Sequence, residues 1–149
     1  MEIKFRGLRT DGKGWVYGSF VPSPKSNSCS IGNFVVCDYL DASHHESGVY
    51  YQLRSHSVIP ETVGQYLFTH PDGTDIYNGD IMTQIFQGIK YDYEILFDPT
   101  YFGICRKLID ANVPEWNKRP EPLIYMYLEI QKGNWSITGT IHDHLIKPK

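Results

Sequence analysis

The sequence predicts a mainly β fold, arranged as a small barrel or a sandwich with short helical turns and long loops. Aromatic residues make up 14% of the chain, with 11 Tyr and 7 Phe, and aromatic side chains pack well on half-buried pleated surfaces. At least eight short segments with strand-like patterns are separated by turn signals rich in Gly, Pro and Asn. Many short strands with frequent turns are typical of barrels and sandwiches.

The N-terminal residues predict a β-hairpin. Residues 15–21 alternate between two faces and follow the turn signal Asp-Gly-Lys-Gly at residues 11–14. Residues 3–8 are the strand expected to pair with them. Residues 22–28 contain two prolines and three serines. Because proline cannot donate a hydrogen bond inside a sheet, we expect a surface loop there.

A second hairpin is predicted from residues 33–40 and 48–53. Both segments are rich in β-branched and aromatic side chains, and the polar residues 41–47 separate them. Residues 61–68 follow, and we expect at most one turn of helix in them because Gly64 interrupts the segment.

Turn signals also organise the middle of the chain. Pro-Asp-Gly at residues 71–73 and Asn-Gly-Asp at residues 78–80 each predict a reversal. Residues 81–86 and 90–97 then predict two strands around Gln-Gly at residues 87–88. The second strand alternates apolar with mainly acidic residues, which is the period of a strand with one face in water.

The last third of the sequence predicts one long loop and two strands. Residues 108–120 are polar with two prolines, and we expect a long loop with one helical turn near residues 109–112. Functional residues often lie on such loops. Residues 123–130 are apolar on both faces and predict a covered central strand. Residues 135–141 return as a strand after a Lys-Gly-Asn turn at residues 132–134.

Length and composition predict one folded domain over residues 1–149. Hydrophobic residues make up 41% of the chain and charged residues 21%, which is ordinary for a globular protein long enough to bury a core. The alternative organisation is an N-terminal β subdomain of residues 1–60 packed on a C-terminal barrel of residues 61–149.

Charge and cysteine usage argue against several classes of function. The formal net charge is −3 and no run of Lys or Arg is present, so duplex nucleic acid is not an expected partner. The three cysteines show no close pair, and the N-terminus lacks a long apolar stretch, which predicts a cytoplasmic protein with reduced thiols. No segment approaches the roughly 20 apolar residues of a membrane span, so no membrane partner is expected.

Several short motifs resemble those of the YopX-like phage proteins, in the same order and with similar spacing. They are Lys-Phe-Arg-Gly at 4–7, Trp-Val-Tyr-Gly at 15–18, Glu-Thr-Val-Gly-Gln-Tyr at 61–66, Ile-Tyr-Asn-Gly-Asp-Ile at 76–81 and Gly-Thr-Ile-His-Asp at 139–143. Residues 62–81 are the most specific part. The loops at residues 22–47 and 108–120 match nothing in particular.

The resemblance implies a phage or prophage origin, a cytoplasmic location in the bacterial host, an SH3-like small barrel in the C-terminal part and no established activity. The resemblance assigns no catalytic residue to this chain. We interpret the motif residues as structural, because glycines and aromatics build turns and cores more often than they bind substrates. These residues are Trp15, Tyr17, Gly18, Gly64, Tyr66, Tyr77, Gly79 and Asp80. Asp80 is expected to bond local backbone and is a poor candidate for a general base.

His142 and His144 form the sharpest metal-like feature. Two histidines two residues apart on a strand point to the same face and could share one ion. A closed site needs further ligands, and His44, His45 or His56 could supply one only if the fold brought it close. A solvent-facing His-x-His is the alternative interpretation, and we expect no cofactor.

Other chemical signals are weaker. Cys29 and Cys37 lie eight positions apart, which fits small apolar packing better than a metal or redox pair. Cys105 beside Arg106 and Lys107 is the nearest analogue of an activated thiol. The acidic residues Asp92, Glu94 and Asp98 are best interpreted as a solvated strand face, although paired carboxylates are the alternative. No phosphate-binding glycine motif occurs in the chain.

Three hypotheses for function follow. The first is a non-enzymatic protein-interaction or self-assembly module that presents Trp116 with Arg119 on the 108–120 loop, because an exposed Trp beside an Arg is a typical interface anchor. The second is binding of single-stranded nucleic acid by an aromatic small barrel, against which the acidic balance argues. The third is a metal-dependent enzyme using His142 and His144.

Overall fold

The computed structural model describes residues 4–23, 28–41, 46–101, 103–114, 118–123 and 135–145, and the side chains of these residues except for 33–41 and 46–53. The mainly β class is confirmed: strands account for 61% of the chain, and the described residues contain no helix of seven or more residues. The chain divides into two compact units, Met1–Val63 and Gly64–Lys149. The sequence placed a subdomain boundary at residue 60.

Four strands build the first unit: β1 (Phe5–Leu8), β2 (Trp15–Pro22), β3 (Cys29–Asp41) and β4 (Glu46–Val58). Each pairs with the next in antiparallel fashion. Both expected hairpins are therefore confirmed. The second is longer than predicted, because pairing continues from Asp41 opposite Glu46 to Cys29 opposite Val58.

The core of the first unit contains buried Cys29, Ile31 and Val58, with partly buried Phe5, Val16 and Val63 packed against it. A single turn of 3-10 helix, Pro60–Thr62, follows β4. Its buried Thr62 Oγ1 accepts a hydrogen bond from the Leu8 N–H at 2.9 Å and donates to the Ile59 carbonyl at 2.7 Å. One hydroxyl thus fastens the turn to β1.

Seven strands build the second unit: β5 (Gly64–Thr69), β6 (Asp75–Tyr77), β7 (Asp80–Phe86), β8 (Ile89–Asp98), β9 (Gly103–Leu108), β10 (Glu121–Pro122) and β11 (Trp135–Thr140). β5 and β6 form a hairpin around the expected turn, in which Gly73 has a φ of +90°. The other five form an antiparallel sheet in the order β10-β9-β8-β7-β11. Single 3-10 turns lie at Pro99–Tyr101 and Asp143–Leu145.

The core of the second unit lies on one face of this five-stranded sheet. Its buried residues are Ile76, Met82, Ile95, Leu123 and Trp135, and the partly buried Leu67, Phe68, Tyr93, Ile104 and Ile137 pack against them. Met82 lies opposite Tyr93 in the β7–β8 register. The alternation along β8 that the sequence predicted therefore selects the residues of this core.

Three expectations need correction or restriction. The sheets do not close into a barrel within the described residues, because β10 and β11 lie at opposite ends of the strand order. The helical turn near residues 109–112 is a simple hydrogen-bonded turn, in which the Val113 N–H donates to the Asp110 carbonyl at 3.2 Å. Most of the predicted strand 123–130 lies outside the described residues.

Among the helical segments that the structure describes, none has the length and apolar character needed to cross a membrane.

Candidate functional site

The β7–β8 hairpin extends beyond the strands that flank it. β11 pairs with β7 as far as Gln84, and β9 pairs with β8 from Tyr93 onward. Within the described residues both neighbours stop there, whereas β7 and β8 pair with each other up to Phe86 opposite Ile89. Residues 85–90, called the tip below, therefore form a two-stranded ribbon in the part of the chain that the structure describes.

A two-residue turn closes the tip. Gln87 and Gly88 have positive φ angles of 50° and 78°, which is the backbone signature of a type I′ turn. The twist of this turn matches that of the flanking strands. Phe86 and Ile89, on either side of it, are the last cross-strand pair. The turn therefore sets the positions of the side chains that flank it.

The tip carries three exposed apolar side chains. The exposed fraction is 65% for Ile85, 57% for Phe86 and 55% for Ile89. Phe86 and Ile89 continue the sheet face that holds Met82 in the core, while Ile85 shares the opposite face with Lys90. The tip is thus apolar on both of its faces.

Clustering distinguishes these side chains from ordinary exposed apolar residues. Single exposed hydrophobics are normal on a soluble protein, whereas a contiguous patch indicates an interaction site. Phe97 is 52% exposed, but it lies roughly 26 Å from Ile89 along β8 at about 3.3 Å per residue. The tip gathers three such residues on one protrusion, and it is the candidate functional site.

Arg106 forms a second side-chain cluster on the core face. Its guanidinium carbon lies 4.3 Å from the centroid of the Tyr93 ring and 5.4 Å from that of Trp135. Nε and Nη2 both donate to Glu121 Oε2, at 3.0 and 2.9 Å, and Nη1 reaches Gln84 Oε1 at 3.4 Å. Burial raises the pKa of Tyr93, and the nearby Arg106 charge partly opposes this rise. The cluster fastens the two-residue strand β10 to β9, which is a structural role.

Two glycines of the motif segments, Gly64 and Gly79, lie where a side chain would not fit without strain. A Cβ at Gly64 would collide with the carbonyl oxygen of Asn78. Gly79 has a φ of +89°, and its N–H donates to the Ile95 carbonyl at 2.8 Å while its carbonyl accepts from the Ile141 N–H at 3.0 Å. Glycine is favoured at position 64 because another backbone segment approaches closely, and at position 79 because the backbone is left-handed.

The motif residues beside these glycines pack and cap the same turn. Tyr77 is buried, and its ring lies edge-on to that of Tyr66 with the centroids 5.9 Å apart. Asp80 is buried and its Oδ2 accepts the Tyr77 N–H at 2.7 Å. This is local backbone bonding of the kind the sequence predicted for Asp80, and it occupies one of the carboxylate oxygens.

The remaining motif residues lie on β2 in the first unit. The guanidinium carbon of Arg6 lies 4.7 Å from the Trp15 ring centroid. Gly18 is buried opposite Phe5, and Tyr17 is exposed. Of these, Tyr17 alone presents a large side chain to solvent.

The geometry behind the metal hypothesis is wrong. β11 ends at Thr140, so His142 lies in a turn and His144 in the 3-10 turn that follows, and the alternation of a strand does not apply to them. The His142 N–H donates to Thr140 Oγ1 at 3.0 Å, and His144 Nδ1 lies 3.1 Å from the Ile141 carbonyl. Across the described ranges, no group of three or more His, Cys, Asp or Glu side chains could hold a metal ion. His44 and His45 lie outside those ranges.

The described cysteines are not activated. Cys105 is fully buried, and burial raises the pKa of its thiol, with the Asp98 carboxylate adding to the rise. Burial likewise raises the pKa of Cys29. A raised pKa disfavours the nucleophilic thiolate, so both behave as small apolar residues. The Cys37 side chain lies outside the described residues.

The acidic residues of β8 are used in local structure. Asp92 Oδ1 accepts from the Thr83 hydroxyl at 2.6 Å, and Asp98 Oδ1 accepts the Thr100 N–H at 2.8 Å. Glu94 lies opposite Lys107 in the register with β9. This face of β8 therefore does not present a pair of carboxylates positioned for hydrolysis.

The loop predicted to carry an interaction anchor is described only in part. Trp116 lies outside the described residues, and Arg119 is exposed. Sequence reasoning missed the tip as a site, because residues 85–90 were interpreted only as strand and turn. The available signal was the run Ile-Phe-Gln-Gly-Ile, in which apolar residues flank a turn directly.

Comparison with known proteins adds no relative: no family model matches the chain, and neither a curated protein nor a solved structure matches it.

Proposed function

We propose that this protein is a non-enzymatic protein-interaction or self-assembly module that binds through the tip of its β7–β8 hairpin. The observation that carries the proposal is the exposure of Ile85, Phe86 and Ile89 on one protrusion. Exposed apolar side chains in a fixed arrangement release water on binding, and a few such residues supply most of the energy of an interface. Raised thiol pKa values and engaged carboxylates support a non-enzymatic role.

We further propose a YopX-like phage or prophage protein that acts in the cytoplasm of its bacterial host. The support is the set of motif segments shared with that family, from residues 4–7 to residues 139–143. Glycine and aromatic packing at Gly64, Tyr66 and Tyr77 is consistent with a structural role for the most specific of these segments.

Affinity capture with matched variants tests the interaction function. The tagged wild type, a tip variant carrying Phe86→Ser and Ile89→Ser, and the control Phe97→Ser are each used to capture proteins from bacterial lysate. Phe97 is nearly as exposed as Phe86 but lies at the other end of β8. Mass spectrometry should find a partner with the wild type and the control, and lose it with the tip variant.

The same experiment includes nuclease treatment and a check of folding. All three proteins should unfold at closely similar temperatures, so that loss of capture is not loss of structure. A partner that disappears with nuclease would support the single-stranded nucleic-acid hypothesis instead. Equal capture by the tip variant and the wild type would remove the proposal.

A further inference from the structure

We infer that the tip is an anchor for an apolar cleft on a second, different protein, and that carboxylates line the rim of this cleft. The inference rests on the proposed function and names the partner by its chemistry. Two other occupants of the same surface, the tip of a second copy of this chain and a lipid bilayer, fit it less well.

The shape of the tip favours a cleft. Ile85 projects from one face of the ribbon, and Phe86 with Ile89 projects from the other. A flat partner surface would bury only one of these faces. A cleft that encloses the ribbon buries all three side chains at once, and the type I′ turn at Gln87 and Gly88 holds them ready without further ordering.

The apolar area of the tip is too small for a tip-to-tip dimer. Three side chains exposed to this degree offer on the order of 350 Å² of apolar surface, whereas a standard interface buries about 800 Å² per partner. Two copies meeting at their tips would fall well short of that area. A cleft that encloses the tip adds contacts with the exposed Gln87 and Lys90 side chains as well.

The charge of the tip favours a partner that carries carboxylates. Lys90 is the charged residue of the tip, and its Nζ lies 3.6 Å from Asp92 Oδ2 in an exposed contact of the kind that contributes little. Lys90 can therefore pair elsewhere. A symmetric dimer would bring two Lys90 ammonium groups together, whereas a carboxylate on a cleft rim would complement the charge.

The polar end of the tip and the charge of the chain oppose a lipid bilayer as the partner. Gln87 stands at the end of the tip with its side chain exposed, so insertion into a bilayer would place an amide in hydrocarbon without hydrogen-bond partners. The whole chain carries a net charge of −3, which an anionic lipid surface repels. A protein cleft can supply partners for the Gln87 amide.

Site-specific photo-crosslinking tests the inference. A benzophenone amino acid replaces Phe86 in one full-length protein and Phe97 in a control, and both are irradiated in lysate of bacterial cells. We expect an adduct from position 86 to a different protein, on a peptide with apolar residues beside Asp or Glu. Position 97 should give no such adduct.

A charge-reversal variant tests whether the rim of the cleft is acidic. In the Phe86-substituted protein, Lys90→Glu should lower the adduct yield about fivefold, the effect expected of one interfacial charge. Lys13→Glu, which makes the same change in the exposed β1–β2 turn, should leave it unchanged. An adduct that is insensitive to Lys90→Glu would contradict the acidic rim.

Other outcomes separate this inference from the proposed function. An adduct between two copies of this chain would overturn the cleft but keep a self-assembly module. Sedimentation of the wild type, but not the tip variant, with vesicles of phosphatidylcholine and phosphatidylserine would assign the tip to lipid. A captured partner without a position-86 adduct would overturn the inference alone, and no partner at all would overturn both.

Discussion

The base and the tip of the β7–β8 hairpin are two ends of the same pair of strands with opposite surroundings. At the base, Met82 and Ile95 are fully buried in the core of the second unit. At the tip, Phe86 and Ile89 lie on the same sheet face and are more than half exposed. Apolar character continues along this face from base to tip, whereas burial of the side chains does not.

Similar apolar side chains therefore have different roles at the two ends of the hairpin. A buried aliphatic side chain stabilises the fold by roughly 1.5–3 kcal/mol relative to an exposed one. The tip residues have not gained that free energy in the isolated chain and can gain it on binding. The base should therefore govern stability, and the tip should govern interaction.

The largest expected effect is at the base. Met82→Ala should lower the free energy of unfolding by about 2–5 kcal/mol, because it removes a fully buried side chain and leaves a cavity. Urea denaturation of the variant and the wild type measures the difference. A loss below about 1 kcal/mol would mean that the core is not packed around Met82 as described.

The sequence could predict the base but not the tip, for a physical reason. The period-two alternation in residues 90–97 and the turn at Asn78 and Gly79 depend on local sterics. Local sterics follow from the residue types, so both features could be predicted. Whether an apolar strand end is covered depends on how far the neighbouring strands extend. No pattern within residues 85–90 states that Ile85, Phe86 and Ile89 are left exposed.

The strand placement on which the metal hypothesis relied was wrong for a related reason. His142 and His144 have the spacing of a shared strand face only while the strand lasts, and the strand ends at Thr140. Asp143 brings about this ending, because its carboxylate accepts both the N–H and the hydroxyl of Thr140, at 3.0 and 3.1 Å. Side-chain capping of this kind competes with the backbone hydrogen bonds between strands. In a single sequence it is a weak signal of where a strand ends.

A smaller effect at the base is expected from the turn that leads into β7. Asp80→Ala should lower the free energy of unfolding by about 1–3 kcal/mol, because the buried Tyr77 N–H loses its acceptor. Asp92→Ala on β8 is the control, since Asp92 is partly exposed and should cost less. Equal losses would show that burial does not set the difference.

At the tip, the stability effect should nearly vanish. Phe86→Ser is expected to change the free energy of unfolding by no more than about 0.5 kcal/mol, because more than half of the side chain is already exposed. The same denaturation experiment checks it, alongside Met82→Ala. A loss as large as that of Met82→Ala would place Phe86 in a core and remove the contrast between the two ends.

The smallest effect concerns the turn itself and has the opposite sign. Gln87→Asn should stabilise the protein by a few tenths of a kcal/mol, because Asn adopts positive φ more readily and Asn-Gly is the preferred type I′ pair. Thermal unfolding would show a slightly higher midpoint. A lower midpoint would indicate that Gln87 has a stabilising contact or a different backbone conformation.

Hydrogen exchange measured on the isolated protein and on its captured complex tests the central claim most directly. The account predicts that binding slows amide exchange in residues 85–90 and leaves the core strands of both units unchanged, since these are already protected. Slowed exchange confined to another surface, with residues 85–90 unaffected, would contradict it and move the interaction site away from the tip.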